Sequence, residues 1–121
     1  MAQHDSYLST HMLNTAEGRP AEGVGLELWR LEPEPEPVLL CRTVTTADGR
    51  NQAILLPEAA LVPGLHELRF AVGAYFHGRG LTPAEGYLDI VPVRIRLAAG
   101  QGHYHVPLLC SPFSYTTYRG S

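Results

Sequence analysis

At 121 residues, with a net charge of −3 and a pI near 6.0, the chain is long enough for one hydrophobic core and too short for two. It carries no basic stripe of the kind that grips a phosphate backbone, so nucleic acid is not expected as a partner. All nine of its cations are arginine, which excludes lysine Schiff-base and lysine general-base chemistry.

Residues 1–121 read as a single all-β domain, because 12 glycines and 10 prolines lie scattered between apolar runs, as short strands joined by turns require. The opening Met1-Ala2-Gln3-His4-Asp5-Ser6 has no basic stretch followed by an apolar one, and no apolar run reaches the length of a membrane span. No membrane partner and a cytoplasmic location are therefore expected. Tyr7 to Asn14 reads as a strand that ends in a loop holding Gly18 and Pro20. Val24 to Leu31 alternates, with Val24, Leu26 and Leu28 on one face and Glu27 and Trp29 on the other. The run Glu32-Pro33-Glu34-Pro35-Glu36-Pro37 is short enough to be a rigid, solvated connection rather than a linker, and Leu39 to Thr45 returns as a third strand. Asp48-Gly49 is a turn signal, followed by a short strand through Leu56 before Pro57.

His66 to Gly73 alternates next, with Leu68, Phe70 and Val72 inward and Glu67 and Arg69 outward; Ala74 to His77 then makes one turn of helix, the only helix expected. Tyr87 to Leu97 places Val91, Val93, Ile95 and Leu97 on one face and Arg94 and Arg96 on the other, with Pro92 marking an edge or a bulge. Two closing strands, His103 to Cys110 and Phe113 to Arg119, are joined tightly at Ser111-Pro112. Strands spaced about 8–12 residues apart give a β-sandwich. Cys41 and Cys110 lie in apolar stretches without CxxC spacing and read as buried free thiols.

The chemistry concentrates near the end. Residues i and i+2 of a strand share a face, so His103, His105, Pro107 and Leu109 line one side, and Tyr104, Val106, Leu108 and Cys110 the other, which makes the better core. Two imidazoles beside an exposed proline and leucine form a surface that something should cover. A hairpin would set Ser114, Thr116 and Tyr118 beside that histidine row. His11, in line with Ser9 and Leu13, and Arg50, projecting after the Asp-Gly turn, belong to such a site only if the fold brings them there; singly, each of these residues has a plain packing or surface role. A His-x-His pair lacks the third and fourth ligands that zinc sites need, so no metal is expected. There is no GxSxG nucleophile motif for Ser111 or Cys110. What remains suits metal-free hydrolysis, in which neutral imidazole activates water while an arginine and hydroxyl donors hold an electron-rich small molecule.

The segment Leu8-Ser9-Thr10-His11-Met12-Leu13-Asn14, the turn Asp48-Gly49-Arg50 and the ending His103-Tyr104-His105-Val106-Pro107-Leu108-Leu109 through Tyr118-Arg119-Gly120-Ser121 resemble the 5-hydroxyisourate hydrolases, the transthyretin-related family of purine and urate catabolism. The likeness spans essentially the whole chain, and the terminal Tyr-Arg-Gly-Ser separates these hydrolases from transthyretin itself. It departs around Gly86 to Pro92, where relatives carry a Phe-Pro pair. The resemblance implies a transthyretin-like (prealbumin-like) β-sandwich of two four-stranded sheets with one short helix. It also implies a homotetramer, a dimer of dimers, whose dimer–dimer interface forms the channel that holds the active sites. It assigns catalysis to His11, Arg50 and His105, and substrate binding to His11, Arg50, Tyr118, Arg119, Gly120 and Ser121; His103 matches the pattern without an assigned catalytic role. The implied reaction is hydrolysis of the N1–C6 amide of 5-hydroxyisourate to 2-oxo-4-hydroxy-4-carboxy-5-ureidoimidazoline, with no cofactor. Two other readings stand beside it. A carrier of a hydrophobic ligand would need an apolar channel, and a β-sandwich interaction module would leave the histidine row and the terminal tetrapeptide without a role.

Overall fold

The computed structural model describes residues 7–50, 62–100 and 102–120. The described elements are β1 (Tyr7–Asn14), β2 (Arg19–Pro20), β3 (Gly25–Arg30), β4 (Val38–Val44), β5 (Gly64–Ala71), α1 (Val72–Gly78), β6 (Ile90–Leu97), β7 (His103–Cys110) and β8 (Tyr115–Thr117). They form two four-stranded sheets, ordered β2-β1-β7-β8 and β4-β3-β5-β6, and one short helix. This is the expected sandwich. The strand expected through Leu56 lies outside the described residues.

Alternation builds the core. Leu8 and Met12 of β1 and Val106 and Leu108 of β7 face Leu26 and Leu28 of β3, Leu68 and Phe70 of β5, and Val91 and Val93 of β6, all buried between the sheets. Each such side chain contributes about 1.5–3 kcal/mol on leaving water. The helix adds Val72, Tyr75 and Phe76 to the same cluster. Pro92 falls on β6, an edge strand, where the missing N–H costs no ladder bond. Cys110 is fully buried and Cys41 partly so, both as free thiols.

One pairing positions everything that follows. β1 and β7 run parallel over their whole length, from Tyr7↔His103 through Ser9↔His105 and His11↔Pro107 to Asn14↔Cys110. The other strand pairings described are antiparallel. The parallel register is pinned inside the sandwich by Thr10, whose hydroxyl donates to the Val106 carbonyl at 2.5 Å.

Two expectations change. The final strand is Tyr115–Thr117, not Phe113 to Arg119, because the connection runs from Ser111 to Ser114 rather than closing at Ser111-Pro112. Ser111 organises it: its N–H donates to the Ser114 carbonyl at 2.8 Å, and its hydroxyl accepts from the N–H groups of Phe113 and Ser114. With this longer turn Thr116 pairs with Leu109, and Gly120 comes opposite His105, so the hydroxyl row of Ser114 and Thr116 lies beyond the histidines. Pro107, expected exposed beside the histidines, is buried, and Leu109 is only partly exposed; Glu67 sits on the outward face of β5 as expected and is 4% exposed because Arg69 and Arg94 close over it.

Candidate active site

The outer face of the β2-β1-β7-β8 sheet gathers residues from four stretches of sequence. His103 and His105 are two apart on β7, with ring centroids 5.9 Å apart. The parallel register lays Ser9 between them, its hydroxyl 2.6 Å from Nε2 of His103 and 2.9 Å from Nδ1 of His105. His11 follows on the same face of β1, and Arg50 forms an isolated bridge with it. His11 and Arg50 share a face because of a tight turn. The Thr46 carbonyl accepts from the Gly49 N–H at 2.8 Å, and the Gly49 carbonyl accepts from the Met12 N–H at 2.8 Å. Gly49 holds φ +81° with the Met12 carbonyl oxygen against the place a Cβ would occupy, so the turn needs glycine there. Asp48 is fixed by the Thr46 hydroxyl and the Arg50 N–H, and its carboxylate lies 3.9 Å from Nε of Arg50.

Tautomers follow from the partners. Nε2 of His11 lies 2.9 Å from the Asp48 carbonyl oxygen, which can only accept, so the neutral ring carries its proton on Nε2 and leaves Nδ1 as a base. His105 is held through Nδ1, and its Nε2, which makes no hydrogen bond among the described residues, is not buried. The tail closes one side of that ring. The Gly120 N–H donates to the His105 carbonyl at 2.7 Å, and a Cβ on Gly120 would stand 2.7 Å from the imidazole Cδ2.

The electrostatics favour neutral imidazole. Burial pushes His105 below the usual histidine range, and the positive charge of Arg50 and the neighbouring His103 and His11 push the same way. Burial alone lowers His103. Asp48 is held below the usual carboxylate range, first by the Thr46 hydroxyl and then by the Arg50 N–H, so it stays anionic beside Arg50. The thiols are not part of this surface: burial pushes Cys110 up to about 11, a neutral group facing the core. Among the described residues no three His, Cys, Asp or Glu side chains converge as metal ligands.

The structure thus brings together His11, Arg50 and His105, and adds His103. It places Tyr118 and Arg119 elsewhere within this chain. Tyr118 is 58% exposed and lines a groove of about 410 Å³ between the β6 and β8 edges, with Arg94 and Arg96. Arg119 turns to the other side of β7, its guanidinium carbon 4.2 Å from the centroid of Tyr104. Ser121 lies outside the described residues. Sequence reading missed Ser9, and only its alternation with His11 pointed to it; that it meets His105 depends on the parallel pairing of strands more than 90 residues apart.

Such a sandwich, with an imidazole and guanidinium cluster on the outer face of one sheet, defines a class of β-sandwich protein with a polar site. The model of the HIUase/Transthyretin family matches residues 8–120, and the chain belongs to that family. The 5-hydroxyisourate hydrolase of Halalkalibacterium halodurans is 47% identical over 115 residues, covering 94% of this chain and 97% of its own. The structure of Klebsiella pneumoniae 5-hydroxyisourate hydrolase superposes with a TM-score of 0.79 at 37% identity, over 96% of this chain and 99% of that one. An (S)-allantoin synthase structure superposes with a TM-score of 0.90 at 38% identity over 98% of this chain, which spans 45% of that longer one.

Proposed function

We propose that this chain is a 5-hydroxyisourate hydrolase, opening the six-membered ring at the N1–C6 amide. The observation that carries this reading is the open Nε2 of His105, held by Ser9 on one side and flanked by His11 and Arg50 on the other. A neutral imidazole with a free lone pair takes a proton from water at neutral pH, and the resulting hydroxide adds to C6. Arg50, whose guanidinium is only loosely engaged by Asp48, binds the electron-rich carbonyl oxygens and stabilises the oxyanion that develops on C6. Nδ1 of His11 accepts a hydrogen bond from the substrate or from the attacking water and fixes its approach. Collapse of the adduct breaks C6–N1, N1 takes the proton back, and one water is consumed. No step requires a cofactor.

The family carrier reading is the weaker one for this chain. Burying a hydrophobic ligand against His11, His103, His105 and Arg50 would strip those groups of water with nothing to replace it. Tyr118, Arg119, Gly120 and Ser121 enter the site in our reading as its wall, Gly120 directly and the others across a neighbouring subunit of a homotetramer. Exposed Tyr87, Phe113, Tyr115 and Tyr118, with Tyr87 and Phe113 centroids 6.3 Å apart, support such an assembly, because a lone monomer gains nothing from this much aromatic surface. Two free thiols suit a reducing cytoplasm. The test is the ultraviolet decay of freshly generated 5-hydroxyisourate with and without the protein, paired with sedimentation to give the subunit number. Decay at the uncatalysed rate would remove the hydrolase reading.

A further inference from the structure

We infer that Ser9 is a positioning residue that makes His103 and His105 a two-site proton relay, with His103 storing the proton that His105 takes from water. The inference rests on the hydrolase reading for its chemistry and on hydrogen-bond geometry for its substance. A serine hydroxyl has one proton, and Ser9 lies within hydrogen-bond distance of a ring nitrogen on each side. Its single proton can serve one ring at most, while its two lone pairs can accept from both. Three arrangements satisfy this. In the first, His103 Nε2–H donates to Ser9, which donates to Nδ1 of His105; the neutral His105 then carries its proton on Nε2 and has no base on the open side. In the second, Nδ1–H of His105 donates to Ser9, which donates to Nε2 of His103, leaving Nε2 of His105 free to accept. In the third, both rings donate to Ser9 and its proton points elsewhere, so Nε2 of His105 is open but no proton path reaches His103; only the second joins an open base to a relay.

The second arrangement also carries charge away. When Nε2 of His105 takes a proton from water, its Nδ1 proton passes to Ser9 Oγ, and the Ser9 proton passes to Nε2 of His103. No atom is gained or lost, and the positive charge moves from His105 to His103. At a centroid separation of 5.9 Å the imidazoles do not share a proton directly, so the hydroxyl is the bridge. The benefit lies in what faces His105: Arg50 from the turn, His11 from β1 and His103 from its own strand, with the Gly120 backbone on the remaining side. An imidazolium left at His105 would sit among these positive and titratable groups. Shifting the charge one ring along β7 restores a neutral His105 while keeping the proton in reserve for N1. The parallel register makes the bridge possible, since it sets Ser9 opposite His105 and within reach of His103 on the same face.

The direct test is ¹⁵N NMR of the resting wild-type protein, which reads imidazole tautomers without substrate. His105 should be protonated at Nδ1 and His103 unprotonated at Nε2; the reverse pattern, or protonation of both rings on the nitrogen that faces Ser9, overturns the relay, even if turnover of 5-hydroxyisourate is robust. Absent turnover with the expected tautomers would instead sink the hydrolase reading and leave the hydrogen-bond chain standing. Kinetically, S9A should lose about 10- to 100-fold in kcat with KM within about twofold. Its acid limb should move to lower pH, because Nδ1–H loses its acceptor, and the curved solvent-isotope proton inventory of the wild type should become linear. S9T should recover most of kcat. A fully active S9A, or an S9T as impaired as S9A, would reduce Ser9 to packing. If S9A does not fold, H103Q makes the same cut from the other end, and an unchanged proton inventory there overturns the inference.

Discussion

The two outer faces of the sandwich treat charge in opposite ways. On the β4-β3-β5-β6 sheet, charges are closed into pairs that step across the strands. Arg42 meets Glu27 at 2.9 Å, and Glu27 also accepts from the Trp29 indole; Arg69 lies over the Trp29 ring and meets Glu67 at 2.7 Å; Arg94 takes the other Glu67 oxygen at 2.6 Å. Burial works to raise the Glu67 carboxyl, yet the hydrogen bonds from Arg69 and Arg94 more than offset it and hold the group below the usual carboxylate range. On the β2-β1-β7-β8 sheet the groups are oriented rather than neutralised: each of His11 and His105 has one nitrogen fixed and one left open. A face whose charges are saturated contributes stability and little else. A face with fixed but unspent lone pairs can exchange protons, and in the proposed mechanism this is the half that reacts.

Substitutions on the two faces should therefore separate activity from stability. The largest effect expected is from His105→Ala, a loss of about 10²–10⁴ in kcat for 5-hydroxyisourate with an unchanged thermal midpoint, as removal of a general base predicts; undiminished turnover would return the site to ordinary surface. Gly120→Ala comes next. Its Cβ must displace the His105 ring, and a misplacement near 1 Å costs on the order of 10² in rate, so kcat should fall while sedimentation and circular dichroism stay as in the wild type. On the opposite face, Glu67→Gln should leave kcat within about twofold and lower stability by about 1–2 kcal/mol, the value being modest because Arg94 is largely solvent-exposed. Thermal unfolding would read this as a drop of roughly 4–8 °C.

The smallest effect sharpens the comparison from the interior. His66 is fully buried and donates from Nδ1 to the Gly64 carbonyl at 3.0 Å, and its Nε2 has no hydrogen-bond partner among the described residues. Burial lowers its pKa, the Gly64 hydrogen bond works against that, and the charge of Arg30 adds to the lowering. Because the folded value lies below the unfolded one, the unfolded chain binds more protons as pH falls below about 6.5, and stability declines from there downward. His66→Phe should flatten the change in denaturation midpoint between pH 7.5 and 5.5, and an unaltered slope would clear His66 of that role.

Most strands were legible because alternation is a local property. Tyr7–Asn14 and His103–Cys110 match their expected bounds, and β3 to β6 lie within a few residues of theirs. The inward face of β7 was readable for the same reason, but on the outward face the exposed proline expected at Pro107 is buried and Leu109 is only partly exposed. What failed was nonlocal. The length of the Ser111 to Ser114 connection decides which residue stands opposite His105, and hydrogen bonding by Ser111 set it where the dipeptide Ser111-Pro112 pointed to a tighter turn. Glu67 faces outward as alternation says, but alternation says nothing of the two arginines, from β5 and β6, that close over it. His11, Arg50 and His105 carried no signature of proximity in their spacing, and their grouping came from resemblance; Ser9 entered only with the register. Arg119 shows the limit of a motif, since adjacency to Gly120 did not put it on the histidine side of the strand.

The parallel β1–β7 ladder has a consequence for synthesis. On a ribosome the first strand emerges long before its β7 partner, and Ser9 must wait for its imidazole partners until the chain has been extended by more than 90 residues. Contacts of such high sequence separation form late and slowly. A translating or truncated chain can thus assemble the β3-β4 hairpin while remaining catalytically silent, and competence should arrive together with the tail, once Gly120 docks against His105.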